Sequence, residues 1–193
     1  MLSSLSNCLA DYLQDNKIIN EKEKEIYVYG FEIIISSIIG VLLVGGLGLI
    51  LNRFLESVIF LVVFISTREY AGGYHAKTFL SCSFIFITLY LLLLLFTEIS
   101  HKNFEFYQII SILLISILTI LKFAPIKNCN KKLSQSVIVT NRKKSIVISA
   151  FWAILAVVIF PWEKKLSIVI TLTLGIISML MLIEKLRKED KYE

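Results

Sequence analysis

At 193 residues, 56% of them hydrophobic and with a mean hydropathy of +0.78, the chain has the composition of an integral membrane protein, which excludes a water-soluble core. The length leaves no room for a membrane bundle plus a separate globular domain, and no Pro/Gly/Ser-rich linker divides it, so residues 1–193 are expected to form a single membrane domain. The net charge of +5 is explained below by its placement along the chain and requires no nucleic-acid partner.

Residues 1–30 carry acidic and polar groups where a secretory signal would need an uninterrupted apolar stretch, so they are expected to remain as an amphipathic, cytoplasmic N-terminal segment. Leu2, Leu5, Leu9, Tyr12 and Leu13 recur at helical spacing, with Asn7, Asp11, Gln14 and Asp15 largely opposite, as in a helix lying on a membrane surface. A first crossing spans about Ile33 to Leu51, uncharged and carrying Gly40, Gly45, Gly46 and Gly48, which permit close approach of another helix and make a homodimer reasonable. A second, shorter apolar stretch, Ser57 to Ser66, needs Phe54, Leu55 and Thr67 to cross. A polar loop, Arg68 to Thr78, leads to a third crossing from Phe79 to Phe96. The turn Glu98 to Glu105 leads to a fourth, from Phe106 to Phe123, which Pro125 ends. A basic connector, Lys127 to Lys144, precedes a fifth crossing, Ser145 to Phe160, and a sixth, Leu166 to Ile183.

The expected fold is therefore all-α: a six-transmembrane-helix bundle over 31–183, an N-terminal amphipathic surface helix, and a cytoplasmic tail from 184 to 193. With cytoplasmic termini, 16 of the 20 basic residues fall on the inner side and 4 on the outer, which is the orientation expected of a multi-pass protein of the cell membrane. The loop Arg68 to Thr78 then faces the cytoplasm.

That loop concentrates the chemistry. Cys8, Cys82 and Cys129 all fall near the reducing side, which disfavours a disulfide framework. A metal site is not expected, because His75 and His101 lie on opposite sides and there is no CxxC or His-Glu-x-x-His run; no cofactor is implied. Aspartyl intramembrane proteolysis needs two embedded aspartates, and Asp11, Asp15 and Asp190 lie outside the crossings. A Cys/His pair remains. Cys82, in the first turn of the third crossing, would sit among the cations Arg68 and Lys77 and the unpaired N–H groups of a helix N-terminus, which favour a thiolate and could hold an oxyanion. On one continuous helix His75 and Cys82 would be about 10 Å apart, too far for proton transfer; Gly72 and Gly73 permit a fold-back that brings them together. Glu69 either orients the imidazole or pairs with Arg68 or Lys77.

The pattern Arg68-x-x-x-Gly72-Gly73-x-His75-Ala76-x-Thr78, with Cys82 seven residues after the histidine, resembles the accessory gene regulator protein B (AgrB) family of bacterial quorum sensing. Ala124-Pro125, Asn130-Lys131-x-Leu133-Ser134 and Asn141-Arg142-Lys143-Lys144-Ser145 are similar to the same family, although Lys132 stands where its pattern has proline. The resemblance implies a membrane cysteine endopeptidase that processes a small amphipathic pro-peptide (AgrD-like) into a cyclic autoinducing peptide. It implies Cys82 as nucleophile, His75 as base, and Arg68, Gly72 and Gly73 as supports. From the charge cluster, Lys131, Lys132, Arg142, Lys143 and Lys144 are candidate contacts for acidic precursor residues. The rival expectation is a non-enzymatic transporter of small molecules or peptides, or a membrane scaffold. Against conduction, no ionisable group lies at membrane depth.

Overall fold

A computed structural model of the chain describes residues 2–73, 79–126 and 135–189. Within them lie seven α-helices and no strand: α1 (Leu2–Asp15), α2 (Lys24–Ile50), α3 (Phe54–Ala71), α4 (Phe79–Ser100), α5 (Phe106–Phe123), α6 (Gln135–Ile159) and α7 (Lys164–Glu189), with a 3-10 turn, Glu21–Glu23, before α2. Four are long and apolar enough to cross a membrane: α2, α4, α5 and α7. The other two long helices carry charge within their length, Glu56, Arg68 and Glu69 in α3 and Arg142 to Lys144 in α6, and both are packed against α7. α7 is the axis of the bundle, with 61% of its apolar window buried against 17% for α2.

Three helices run further than the apolar runs alone indicate. α2 begins at Lys24, nine residues before the uncharged stretch, because only Gly30 interrupts a sequence otherwise compatible with helix. α3 continues through Arg68 to Ala71, so the first part of the expected polar loop is helical, and the first non-helical residue is Gly72. α6 starts at Gln135, so the second half of the expected basic connector is its first turns, with Arg142, Lys143 and Lys144 on exposed positions.

The turn between α2 and α3 has a local cause. Asn52 adopts φ 55°, and the two bonds of a Schellman motif form: Arg53 N–H to the Gly48 carbonyl at 2.7 Å and Asn52 N–H to the Leu49 carbonyl at 3.2 Å. The tight reversal lays Gly48 against Ser57, where a Cβ on Gly48 would stand 2.7 Å from that of Ser57. Ser57 Oγ in turn donates to the Arg53 carbonyl at 2.6 Å and accepts from the buried Tyr90 hydroxyl of α4 at 2.5 Å. At the same end Arg53 pairs with Glu56 at 3.1 Å and with Glu98, and Lys165 reaches Glu98 at 3.0 Å. The beginnings of α3 and α7 and the end of α4 are thus tied by charge.

Inside the bundle the contacts are close packing plus a few bonds between helices. Ser167 Oγ donates to the Ala156 carbonyl at 2.7 Å, Ser178 Oγ to that of Ser116 at 3.2 Å, and Trp152 Nε1 to Ser66 Oγ at 3.0 Å. In lipid, where burial of apolar surface does not drive helix association, such bonds contribute roughly 0.6 kcal/mol each.

Candidate functional site

Cys82 lies in the first turn of α4, half-buried. With Phe86 and Tyr90 it forms an i, i+4, i+8 stripe, so the three share one face of the helix. Arg68, Phe64, Phe60 and Ser57 form the matching stripe on α3. The two stripes meet rung by rung: Ser57 bonds Tyr90, Phe60 packs on Tyr90 and Phe86 with ring centroids 5.3 and 5.5 Å apart, and Phe64 packs on Phe86 at 5.0 Å. Arg68 Cζ stands 5.1 Å over the Phe64 ring. Arg68 and Cys82 occupy the next positions on the two stripes.

Of the two glycines after α3, Gly72 has a packing reason as well as a conformational one, and Gly73 a conformational one. Gly72 adopts φ 76°, and a Cβ there would lie 2.7 Å from the Ile126 carbonyl oxygen. The same strand of chain bonds back, Ile126 N–H donating to the Ala71 carbonyl at 3.0 Å. Gly73, at φ 148°, runs across Leu180 and Met181 of α7. Only residues without a side chain let the backbone leave α3 between the Pro125 segment and α7.

Around this end stand cations over aromatic rings: Lys144 Nζ 4.9 Å from the Tyr70 centroid, and Lys185 and Lys122 at 4.3 and 5.4 Å from that of Phe123. Arg142 reaches the Leu121 carbonyl at 3.2 Å, covering a C-terminal carbonyl of α5. Lys143 is exposed.

Of the residues singled out from sequence, Cys82 and Arg68 lie on the matched stripes and Gly72 and Gly73 lie at the end of the same helix as Arg68. Arg142 and Lys144 join the rim through Leu121 and Tyr70. His75, Lys131 and Lys132 lie outside the described residues, as do Lys77 and Cys129. Sequence reasoning missed Phe86 and Tyr90 as the stripe that aims Cys82, although their four-residue spacing was there to be read. It also missed Tyr70 and Phe123 as platforms for cations, and Ile126 as the neighbour that Gly72 must clear. Among the described residues no three His, Cys, Asp or Glu side chains gather as a metal site would require.

These features define a polytopic helical membrane protein with a thiol and an arginine on matched stripes of two helices at one end of its bundle. The family model for Accessory gene regulator B matches residues 6–184, and the chain belongs to that family. It is 26% identical over 188 residues to an AgrB-like protein of Clostridium perfringens strain SM101, covering 91% of this chain and 88% of that one. To an AgrB-like protein of Clostridium beijerinckii it is 27% identical over 184 residues, covering 94% and 90%. To the accessory gene regulator protein B of Staphylococcus intermedius it is 26% identical over 132 residues, covering 68% and 69%. No solved structure matches. Family membership implies a part in accessory gene regulator quorum-sensing peptide processing at a membrane.

Proposed function

We propose that the protein is a membrane-embedded cysteine endopeptidase acting on a small amphipathic AgrD-like pro-peptide, with Cys82 as nucleophile and His75 as its base. The observation that carries this reading is the matched stripes of α3 and α4, which put Arg68 and Cys82 next in line beyond the Phe64–Phe86 contact, with the thiol in the first turn of a helix, where backbone N–H groups have no helical partner. The thiolate attacks a backbone carbonyl carbon of the precursor, and the N–H groups of the first turn of α4 hold the resulting oxyanion. As the C–N bond breaks, His75 gives its proton to the departing amine. The N-terminal part stays as an acyl thioester on Cys82. A cysteine thiol within the precursor then attacks that thioester, the bond to Cys82 breaks with return of a proton to the enzyme, and a thiolactone closes. Thioester exchange is nearly balanced in free energy, so the step needs protection from hydrolysis more than a driving force. A site at the lipid edge supplies that protection.

All six long helices cross the membrane in this reading, with α3 and α6 shielded by α7 and their charges near the ends. The chain forms one membrane domain in the cell membrane, with both termini, the His75 segment and Cys82 on the cytoplasmic side. Gly45 and Gly46 have nothing within 4 Å of where a Cβ would sit, which leaves a small-residue face of α2 open to a second copy.

Co-expression with a precursor from a neighbouring reading frame tests the mechanism. Cys82→Ala and His75→Ala each abolish cleavage, and Cys82→Ala leaves no thioester adduct. Cleavage that continues in both variants rejects the assignment.

A further inference from the structure

α7 is packed in two different ways along its length. Ile168, Val169, Ile170, Thr171, Thr173 and Leu174 are each at most 1% exposed, and α3, α4, α5 and α6 all pack on the helix. Two core clusters share it. Val169 and Ile177 join Phe60, Phe64 and Tyr90, while Ile168, Ile170 and Leu174 join Val63, Ile109 and Ala156. Nearer the Cys82 end, Met179, Leu182, Ile183 and Leu186 are 63, 38, 41 and 60% exposed, and their i, i+3, i+4, i+7 spacing makes them one open face.

The Arg53 end is closed by more than charge. Phe104, in the turn between α4 and α5, is buried in the second cluster and meets Phe96 edge-on at 6.3 Å. On the other side, the close approach of Gly48 to Ser57 and the bond from the Tyr90 hydroxyl to Ser57 hold α2, α3 and α4 together. Below that tie, Phe60, Phe64 and Phe86 fill the space between α3 and α4. Aromatic side chains bury about 150–250 Å² each, so a path through this half of the bundle would expose several of them at once.

Carriers that pass a solute across a membrane hold it near the midplane, at broken helices between two bodies that rock against each other. Here α7 is one continuous helix from Lys164 to Glu189, and its packed stretch belongs to both clusters. No plane divides this bundle into two bodies without cutting a core. Opening the Arg53 end breaks both clusters together, a change that a bound peptide could offset only through contacts made in the open state alone.

We propose that the reaction at Cys82 is one-sided: the precursor arrives, and the cleaved segment and the thiolactone leave, by the Cys82 end, and the chain does not carry its product to the Arg53 end. The identity of the product rests on the protease reading above, and its route on the packing of α7. A separate transport step therefore follows. A thioester left on the side of free thiols is open to attack by them, so the step that consumes the product takes a cyclic thioester from this face of the membrane and passes it across.

Spheroplasts and inverted membrane vesicles present opposite faces of the full-length protein, and a membrane-impermeant maleimide reports which face reaches a thiol. In a Cys8→Ser, Cys129→Ser background, Lys143→Cys and Lys102→Cys, each with Cys82→Ala, mark the two ends, both lysines being exposed. Cys82 is labelled in the preparation that labels Lys143→Cys, and in the other only after detergent, with or without precursor. Ser81→Cys, on the exposed neighbour, repeats the reading with a more accessible thiol. Labelling of either thiol from both faces overturns the proposal, because alternating access requires it. In proteoliposomes, precursor added outside gives thiolactone outside and none in the lumen, and a preformed cyclic thiolactone peptide enters at the rate of protein-free vesicles, a ratio near one. Entry above that baseline, or product gathered in the lumen, also overturns it. Cleavage that survives Cys82→Ala while labelling stays one-sided strikes the protease reading and supports the closed route, so the two fail separately.

Discussion

The two ends of the bundle handle charge differently. At the Arg53 end the turns are short and the charges cancel: Arg53 joins Glu56 and Glu98, and Lys165 joins Glu98. At the Cys82 end Arg187 joins Glu184, but Lys144 and Lys122 stand over aromatic rings, Arg142 covers a carbonyl and Lys143 is exposed. A cation on a ring keeps most of its field, whereas one in an ion pair does not. The first arrangement closes a bundle and the second leaves positive charge available to something else, so one end is read as structural and the other as the place where a substrate is met.

The largest effect expected from that contrast is loss of the reaction. Cys82→Ala lowers precursor cleavage at least about a thousandfold, the scale of removing a nucleophile. Cys8→Ala, on an exposed thiol of α1, leaves the rate unchanged. Gel-resolved processing of a tagged precursor measures both, and a fall of similar size in the two would remove the distinction between the site and the rest of the chain.

Next come the two close approaches, one at each end. Gly48→Ala drives a methyl into Ser57, whose hydroxyl is already committed to Tyr90 and the Arg53 carbonyl. Gly72→Ala meets both a positive φ and the Ile126 carbonyl. Each costs about 1–3 kcal/mol of stability by overpacking or backbone strain. Thermal melts in detergent show both losses, but only Gly72→Ala also slows cleavage at temperatures where the protein stays folded. Gly30→Ala, with open space around it, is silent in both assays.

The arginines sharpen the comparison further. Arg68→Gln lowers cleavage and the alkylation rate of Cys82 about tenfold, equivalent to 1.4 kcal/mol. Arg53→Gln leaves both rates alone and costs at most about 1 kcal/mol of stability, the range of exposed ion pairs. If Arg68→Gln changes the melting temperature but not alkylation, the guanidinium supports packing on Phe64 and does not act on the thiol.

What could be read in the sequence, and what could not, divides along the same line. Helices in apolar runs were legible because composition alone fixes them, and Pro125 marked the end of α5 by its missing donor. The start of α6 was misplaced because Asn141, Arg142, Lys143 and Lys144 have the look of a loop, yet no Gly or Pro lies between Gln135 and Phe160 to stop a helix. Arg68 was assigned to a loop for its charge, although the first helix breaker after it is Gly72. The candidacy of Cys82 was readable from its neighbours in sequence. Its orientation was not, because the face opposite Phe86 is set by α3, and the contact of Gly72 with Ile126 joins segments more than fifty residues apart.

The smallest effect bears most directly on what the Cys82 end is for. Lys143 is exposed, and among the described residues Lys144 meets the Tyr70 ring alone, so neither is required by the fold in the way that Arg142, bonded to Leu121, is. If these cations meet acidic precursor residues, Lys143→Gln with Lys144→Gln raises the KM for precursor about threefold and leaves kcat unchanged, since exposed pairs are worth roughly 0.2–1 kcal/mol. The same interaction is screened by salt, so the wild-type KM climbs as ionic strength rises to about 0.5 M, and the double variant responds less. An acidic partner is rejected if the wild-type KM is flat with salt, because a cation that meets a carboxylate in water cannot escape screening. A change in kcat alone would move these lysines from recognition to the chemistry at Cys82.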